Sequence, residues 1–195
     1  DVRVVFARWI PGHAAAQNDM GVFCANGRGV PQDDVQSVVW YSRAAQQGYA
    51  AAQFNLANMY DQGRGVRQDS ARAQSWNIQA AQQGYAPAQY NLGIMYRDGL
   101  GVPQDDGLAV SWYRQAAEQG LASAQHMLGV SYDQGQGVPR DEAQAVTWWR
   151  KAAEQGYADA EFNLGLCFTK GYRVPEDYLE AHKWFNLASA LGQEE

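Results

Sequence analysis

The sequence contains little of what disulfide-linked, zinc-binding or membrane-spanning proteins need. Its 195 residues include only two cysteines, Cys24 and Cys167, with no Cys-X-X-Cys pair and no His/Cys cluster. A disulfide framework and a structural zinc site are therefore not expected, and both thiols are interpreted as buried apolar side chains. No run of about 18 apolar residues occurs, so no membrane insertion is expected.

Positive charge is scarce as well. The chain carries 15 Lys and Arg residues against 21 Asp and Glu residues, which gives a formal net charge of −6. Nucleic acids attract proteins through basic surfaces, so no nucleic-acid partner is expected. Hydrophobic residues make up 46% of the chain and aromatic residues 12%, which is enough to build a packed core.

The opening segment does not have the features of a targeting signal. The chain begins with Asp1 instead of Met, and segment 1–11 is too short and too charged for a signal peptide. We interpret the chain as a processed form or a fragment. The sequence leaves the compartment open, although a processed form would favour a periplasmic or secreted location.

What the sequence does contain is a nearly perfect internal repeat. Glycines recur every 36 residues, at Gly12, Gly48, Gly84, Gly120, Gly156 and Gly192. The repeat defines five units, 12–47, 48–83, 84–119, 120–155 and 156–191. We therefore expect a single solenoid domain over 12–191, with an N-terminal flank or partial cap over 1–11 and a C-terminal stub over 192–195.

The second half of each unit predicts an amphipathic helix. Its tryptophan returns as Trp40, Trp76, Trp112, Trp148 and Trp184. Alanines at helical spacing flank this tryptophan, so we expect it to be the buried anchor of its unit. An aspartate precedes the helix in every unit, and its carboxylate is expected to cap the first turn. These aspartates are Asp33, Asp69, Asp105, Asp141 and Asp177.

The first half of each unit predicts another helix. Small, aliphatic and aromatic residues follow one another at intervals of four, and a glycine in four of the five units indicates close backbone approach between helices. Glycine-rich joints such as 99–102 connect the two helices. One such hairpin can bury its apolar face only against neighbouring hairpins. The predicted fold class is all-α, a right-handed α/α superhelical solenoid of five 36-residue helix–turn–helix repeats.

The third unit has a specific pattern. It reads Gly-Tyr-Ala-Pro-Ala-Gln-Tyr-Asn-Leu-Gly-Ile-Met-Tyr over 84–96 and Asp-Gly-Leu-Gly-Val-Pro-Gln-Asp over 98–105, followed by Ala109, Trp112, Tyr113 and Ala116. The pattern closely resembles the Sel-one-like repeat (SLR) family, a branch of the tetratricopeptide-like α/α solenoids, and the resemblance covers 12–191. The last unit departs from it, with Arg173 in place of the second loop glycine and Glu161 in place of glutamine.

The resemblance implies an adaptor or scaffold that binds a protein or peptide partner, in a family that is often bacterial and often exported. Some relatives carry paired cysteines in each repeat and have been described as β-lactamase-like, but this chain lacks those pairs. We therefore expect a monomeric binding protein and not an enzyme. A β-lactamase-like hydrolase and a carbohydrate-binding module are the alternatives.

The residues themselves indicate no catalytic, cofactor or metal site. No serine has a lysine three residues later, so the SxxK arrangement of serine β-lactamases is absent. The three histidines lie in separate units without an HExxH motif. The tryptophan and aspartate rows could be a stacking platform or paired catalytic carboxylates, but one copy per helix is typical of core and capping residues.

The candidate binding residues are first-helix positions that vary between units while their neighbours stay constant. They fall along one stripe, and in tetratricopeptide-like solenoids the first helices line the concave groove. Asparagine amides can bond to a peptide backbone, and aromatic rings supply flat apolar contact. The predicted partner-binding groove consists of Phe54, Asn55, Asn58, Tyr90, Asn91, Ile94, Arg97, His126, Met127 and Asn163. An alternative is that the aromatic row packs between units and the asparagines are only solvated.

Overall fold

Each repeat folds into two antiparallel helices. The computed structural model describes residues 12–171 and 177–191, and within these ranges it contains α-helices and no β-strand. The first helices of the repeats are α1 (Ala14–Asn26), α3 (Ala50–Gln62), α5 (Ala86–Asp98), α7 (Ala122–Gln134) and α9 (Ala158–Lys170). The second helices are α2 (Asp34–Gln46), α4 (Ser70–Gln82), α6 (Asp106–Glu118), α8 (Glu142–Ala153) and α10 (Tyr178–Leu191). The predicted all-α fold of five 36-residue repeats is confirmed, and the flank 1–11 and the stub 192–195 lie outside the described residues.

The chain divides into two compact units, Asp1–Ala88 and Gln89–Glu195. In unit 1, α1 packs on α2, α2 on α3, and α3 on α4. Unit 2 continues the same order of packing from α6 to α10. Each unit has its own apolar core, formed around Tyr41 and Leu56 in unit 1 and around Trp149 and Leu164 in unit 2. Both cysteines are buried and form no disulfide, as predicted.

Aspartate caps every second helix, as the sequence predicts. The side chains of Asp33, Asp69 and Asp105 each accept a hydrogen bond of 2.9–3.0 Å from the backbone N–H three residues later. Asp141 and Asp177 each accept two backbone N–H groups. These bonds satisfy N–H groups that have no partner inside the helix, and each is worth about 1 kcal/mol.

The small residue in the middle of the first helix makes room for a ring, and not for a neighbouring backbone as predicted. A Cβ on Gly129 would lie 2.5 Å from Trp149 Cδ1. The same contact recurs at Gly21–Tyr41, Gly93–Tyr113 and Gly165–Phe185. Repeat 2 has Ala57 and Asn77 at these two positions. The repeat whose first helix has a residue larger than glycine is thus also the repeat that has no ring at the facing position.

The tryptophan row is less buried than the sequence predicts. All five of its members are only partly buried, whereas the residue after the tryptophan is buried in four of the five repeats. Helix geometry explains the difference, because the next residue is rotated by about 100° around the helix and its ring then faces the first-helix glycine. The tryptophan stays at the flank, where the Trp148 ring centroid lies 4.0 Å from Lys151 Nζ. This corrects the expectation that the tryptophan itself is the buried anchor.

A row of glutamines, here called the glutamine ladder, joins the helices through buried hydrogen bonds. Gln53 on α3 accepts a bond of 2.7 Å from Gln83, just after α4, and donates a bond of 3.3 Å to Ala45 O on α2. The first of these bonds recurs at 2.6–2.8 Å in the pairs Gln17–Gln47, Gln89–Gln119 and Gln125–Gln155. Because a buried polar group is costly without a partner, the ladder fixes how one helix is positioned against the next.

The last repeat interrupts the ladder. Glu161 on α9 occupies the position of the first glutamine, and Leu191 that of the second. Glu161 is only 3% exposed, and its Oε2 has no hydrogen-bond partner in the described part of the chain. Burial raises the pKa of this carboxyl group, because the charged form loses its hydration.

Candidate functional site

The ten predicted groove residues all lie on first helices, and all are partly exposed. Helix α3 carries Phe54, Asn55 and Asn58; α5 carries Tyr90, Asn91, Ile94 and Arg97; α7 carries His126 and Met127; and α9 carries Asn163. The structure brings His126 to Asn163 and Arg97 to Met127. In contrast, the side chains of three of the ten residues make no hydrogen bond or ring contact within the described residues, namely those of Asn58, Asn91 and Ile94. The ten residues therefore differ in how much of their surface is already occupied.

In unit 1, two of the ten residues are partly engaged by the fold. The rings of Phe54 and Tyr85 have centroids 5.5 Å apart, and Tyr85 directly precedes α5. Asn55 Nδ2 donates a hydrogen bond of 2.9 Å to Asn18 Oδ1 on α1. These contacts agree in part with the alternative that the aromatic row packs between repeats. They also show that Asn55 is not merely solvated, because it joins α3 to α1.

On α5 in unit 2, the cationic residue of the predicted groove already has an anion. Arg97 makes two hydrogen bonds to Asp98, at 2.7 and 2.8 Å. This bidentate pairing raises the pKa of Arg97, because it favours the charged guanidinium. Arg97 Nη1 also lies 3.9 Å from Met127 Sδ on α7. The ring of Tyr90 packs on that of Tyr113, with centroids 5.9 Å apart.

The His126–Asn163 pair in unit 2 is partly buried. Asn163 Nδ2 lies 3.1 Å from His126 Nε2. A neutral imidazole with its proton on Nδ1 accepts a hydrogen bond from this amide group. Burial lowers the pKa of His126 from its usual value of 6.5, and the nearby Asp159 opposes this effect only in part. His126 is therefore a neutral imidazole at neutral pH.

This pair lies at the edge of a pocket of about 350 Å³ between α7, α8 and α9. The pocket is lined by His126, Val130, Asp133, Gln134, Trp149, Asp159, Phe162 and Asn163. The four residues from α7 are spaced as one helix face, and the residues from α9 form the facing wall. Phe162 is 50% exposed, so the pocket has an accessible aromatic surface as well as polar walls. We call this site the α7–α9 pocket.

The α7–α9 pocket has two acidic residues in its walls, Asp133 and Asp159. Neither forms an ion pair in the part of the chain that the structure describes. Arg97 on the preceding first helix is engaged by Asp98. A ligand that brings positive charge would therefore meet two carboxylates that make no ion pair among the described residues.

Two of the eight residues that line this pocket were predicted from the sequence. His126 and Asn163 were predicted groove residues, and Val130, Asp133 and Phe162 belong to the same variable rows of the first helices. Asp159 was missed, although its position also varies between repeats, as Ala51, Pro87, Ser123 and Asp159. Trp149 was not predicted as a pocket residue; it packs in the core, with 6% of its surface exposed, and it also lines the pocket.

Residues 12–171 and 177–191 contain neither a cluster of metal ligands nor a membrane-spanning helix. No group of three or more His, Cys, Asp or Glu side chains is arranged there to hold a metal ion. None of the helices in these ranges combines the length and the apolar character that crossing a membrane requires.

With this geometry in view, comparisons with known proteins identify the family. The Sel1 repeat matches five consecutive segments, 14–49, 50–85, 86–121, 122–157 and 158–193. Each matched segment begins two residues after the glycine that opens one of our units, at the first residue of the first helix. The chain belongs to the Sel1 repeat family, whose members are generally protein-interaction scaffolds. A search of curated proteins found no match.

Several solved structures from bacteria are similar to this chain. A Sel1 repeat protein from Oxalobacter formigenes is 36% identical, with a TM-score of 0.85 over 92% of this chain and 72% of that one. A protective antigen of uropathogenic Escherichia coli with an SLR fold is 37% identical, with a TM-score of 0.83 over 92% of this chain, which spans only 38% of that protein. An immunity protein from Pseudomonas aeruginosa is 26% identical, with a TM-score of 0.62 over 96% of this chain and 70% of that one.

Proposed function

We propose that this chain is a scaffold that binds a protein or peptide through its first helices, and that it is not an enzyme. Membership of the Sel1 repeat family supports this proposal, because the fold is typical of non-catalytic interaction proteins. A repeat array presents a continuous surface whose exposed positions can change without altering the packing between repeats.

The observation that carries the proposal is the contrast between constant and variable positions on one helix. Within α3, Ala52 and Leu56 are at most 1% exposed and have counterparts of the same kind in the other repeats. Asn58 on the same helix is partly exposed and is replaced by Val, Ile or Leu elsewhere. Packing requirements hold the first group constant, and they leave the second group available for a partner.

The proposed binding residues are the ten groove residues, and three of them make a clean test. Asn58, Asn91 and Met127 lie on three successive first helices and have no strong internal contact, so truncating them leaves the fold intact. We expect the purified chain, used as bait for lysate and culture fractions of the source organism, to retain a protein partner. The triple variant Asn58→Ala/Asn91→Ala/Met127→Ala is expected to lose that partner without a change in helicity.

A matched control removes the same number of side chains from the second helices. Gln46, Gln82 and Glu118 are exposed residues at or near the ends of α2, α4 and α6, and their alanine variants should retain the partner. Equal retention by the groove variant would contradict the placement of the site. If no protein is retained, a glycan array tests for a carbohydrate ligand. Nitrocefin turnover that a point mutation abolishes would instead support the hydrolase alternative.

A further inference from the structure

We propose that the α7–α9 pocket receives a cationic side chain, that of an arginine or a lysine, from the bound polypeptide. This inference rests on the proposed scaffold function and specifies the chemistry of its partner. Three properties of the pocket support it: its size, its two aspartates and its aromatic wall.

The size of the pocket suits one side chain with its adjoining backbone. About 350 Å³ lies at the lower end of the range of roughly 300–1,000 Å³ for ligand pockets. The pocket is partly open, so an extended segment can pass across it while one side chain enters. A folded domain could reach it only through such a protruding residue.

The charge of the pocket selects a cation. Asp133 enters from α7 and Asp159 from the first turn of α9, and neither has a cationic partner among the described residues. A guanidinium or ammonium group between them would form charge-assisted hydrogen bonds, which are the stronger kind. An anionic side chain would meet two like charges, and an apolar one would leave both carboxylates without a counter-charge.

The walls of the pocket suit the rest of such a side chain. Phe162 is half exposed, and an aromatic face attracts a guanidinium or covers the methylene stem of lysine. Trp149 also lines the pocket, although it is more than nine-tenths buried. The exposed ring of Phe162 is therefore the main apolar surface that the stem of a lysine or the plane of a guanidinium can cover.

The chain contains its own comparison for this inference. Three repeats earlier, the positions of Asp133 and Asp159 are occupied by Ala25 and Ala51. Their surroundings are kept, since the counterparts of Val130, Phe162 and Asn163 are also a valine, a phenylalanine and an asparagine. The two carboxylates are thus additions to a common apolar and amide framework, and the framework does not need them for folding.

The test is a titration of the full chain with two small probes, followed by two-dimensional ¹H–¹⁵N NMR. The probes are N-acetyl-arginine methylamide and N-acetyl-citrulline methylamide, which have the same shape but differ in charge. We expect saturable shifts confined to the pocket residues and the Trp149 indole with the arginine probe. The citrulline probe should bind at least tenfold more weakly, and a Trp149→Phe variant assigns the indole signal.

Variants then test the two carboxylates. Asp133→Asn/Asp159→Asn keeps the size of both side chains and should weaken binding of the arginine probe at least tenfold, with an unchanged melting temperature. Asp61→Asn is the matched control, because Asp61 holds the position of Asp133 two repeats earlier, and it should bind the probe as the unmodified chain does. Equal binding of both probes, unchanged binding by the double variant, or no saturable shift at all would overturn the inference.

The outcome is separable from that of the proposed function. If a protein partner is retained by the unmodified chain and equally by the double variant, the scaffold proposal stands and the pocket inference fails. If the arginine probe binds through the two carboxylates but no polypeptide partner is retained by any form of the chain, the scaffold proposal fails instead.

Discussion

The α1–α3 corner of unit 1 and the α7–α9 corner of unit 2 occupy the same place in the repeat, yet they carry different chemistry. Both keep the apolar residues that shape the surface: Val22 and Phe54 in the first, Val130 and Phe162 in the second. Both also keep an amide bond between successive first helices, Asn55 to Asn18 in unit 1 and Asn163 to His126 in unit 2. The two corners differ in their acidic side chains, since the positions of Asp133 and Asp159 in the second corner are occupied by Ala25 and Ala51 in the first.

This difference shows which positions packing constrains. A side chain that faces a neighbouring helix must match its volume, so these positions change little. A partly exposed side chain that lines the pocket, such as Asp133, lies outside the buried core and can change charge without affecting it. Three predictions follow, the first about what the two corners share and the other two about where they differ.

The largest effect is expected from removing the ring that packs on the first-helix glycine in either corner. Tyr41→Ala and Trp149→Ala should each lower the free energy of unfolding by about 3–5 kcal/mol, because they leave a cavity in the core. Trp148→Ala, one residue away on α8, should cost no more than about 2 kcal/mol, since this ring is only partly buried. Urea denaturation followed by circular dichroism measures all three. A loss for Trp148→Ala as large as that for Trp149→Ala would refute the assignment of the buried ring.

A smaller effect is expected at the end of the glutamine ladder. Glu161→Gln should raise the free energy of unfolding at neutral pH by about 1 kcal/mol, because the amide can donate to the backbone as Gln53 and Gln125 do. The pKa of the Glu161 carboxyl group is raised in the folded chain. The stabilising contribution of its neutral form is therefore fully present below the unfolded-state pKa of 4.5 and is lost as pH rises through the folded-state pKa. Melting temperatures measured over a series of pH values should therefore depend less on pH for Glu161→Gln than for the unmodified chain.

The reciprocal variant provides the control in unit 1. Gln53→Glu breaks the ladder where it is intact and should destabilise the chain at neutral pH by about 1–3 kcal/mol, since a buried donor is lost and a charge is added. If Glu161→Gln has no effect while Gln53→Glu does, Glu161 is satisfied by a group other than the ladder.

The smallest effect is expected from His126→Asn, which gives the second corner the Asn–Asn pair of the first. At about pH 7.5 the free energy of unfolding should change by no more than about 0.5 kcal/mol, since one acceptor replaces another. The pKa of His126 is lowered by burial, so its stabilising contribution is present above the unfolded value of 6.5 and is lost as pH falls through the folded pKa. Melting temperatures of the variant should therefore fall less on acidification, and an unchanged pH profile would contradict the neutral-histidine assignment.

The sequence anticipated much of the fold because the repeat displays each requirement five times. Aspartate caps, joint glycines and helix faces depend on residues close in the chain, and local hydrogen bonds and helix periodicity are sufficient to predict them. The Trp148–Trp149 choice was missed for a different reason. Two adjacent aromatic residues differ only in their rotation around the helix, and the position of the facing glycine decides which ring is buried.

The candidate site was anticipated less completely. Variation between repeats singled out first-helix positions such as His126 and Asn163, but it could not distinguish a residue open to a partner from one bonded to its neighbour. The internal partner of Asn55 is Asn18, far away in the chain, whereas the partner of Arg97 is the adjacent Asp98. No rule based on sequence spacing identifies both kinds of bonded residue. Asp159 was overlooked because it contributes to the site only by lining the same pocket as residues of α7.

The sequence by itself determined the class of protein, the period of the repeat, the ends of the helices and the absence of basic character in the chain as a whole. These properties follow from composition and from interactions within a few residues. Only the tertiary structure decided which ring enters the core, which amides bond across helices and which acidic residues line a pocket together with an exposed ring. Those outcomes depend on side chains from different helices meeting in space, and such contacts are set by the packing of repeats and not by the order of residues within one of them.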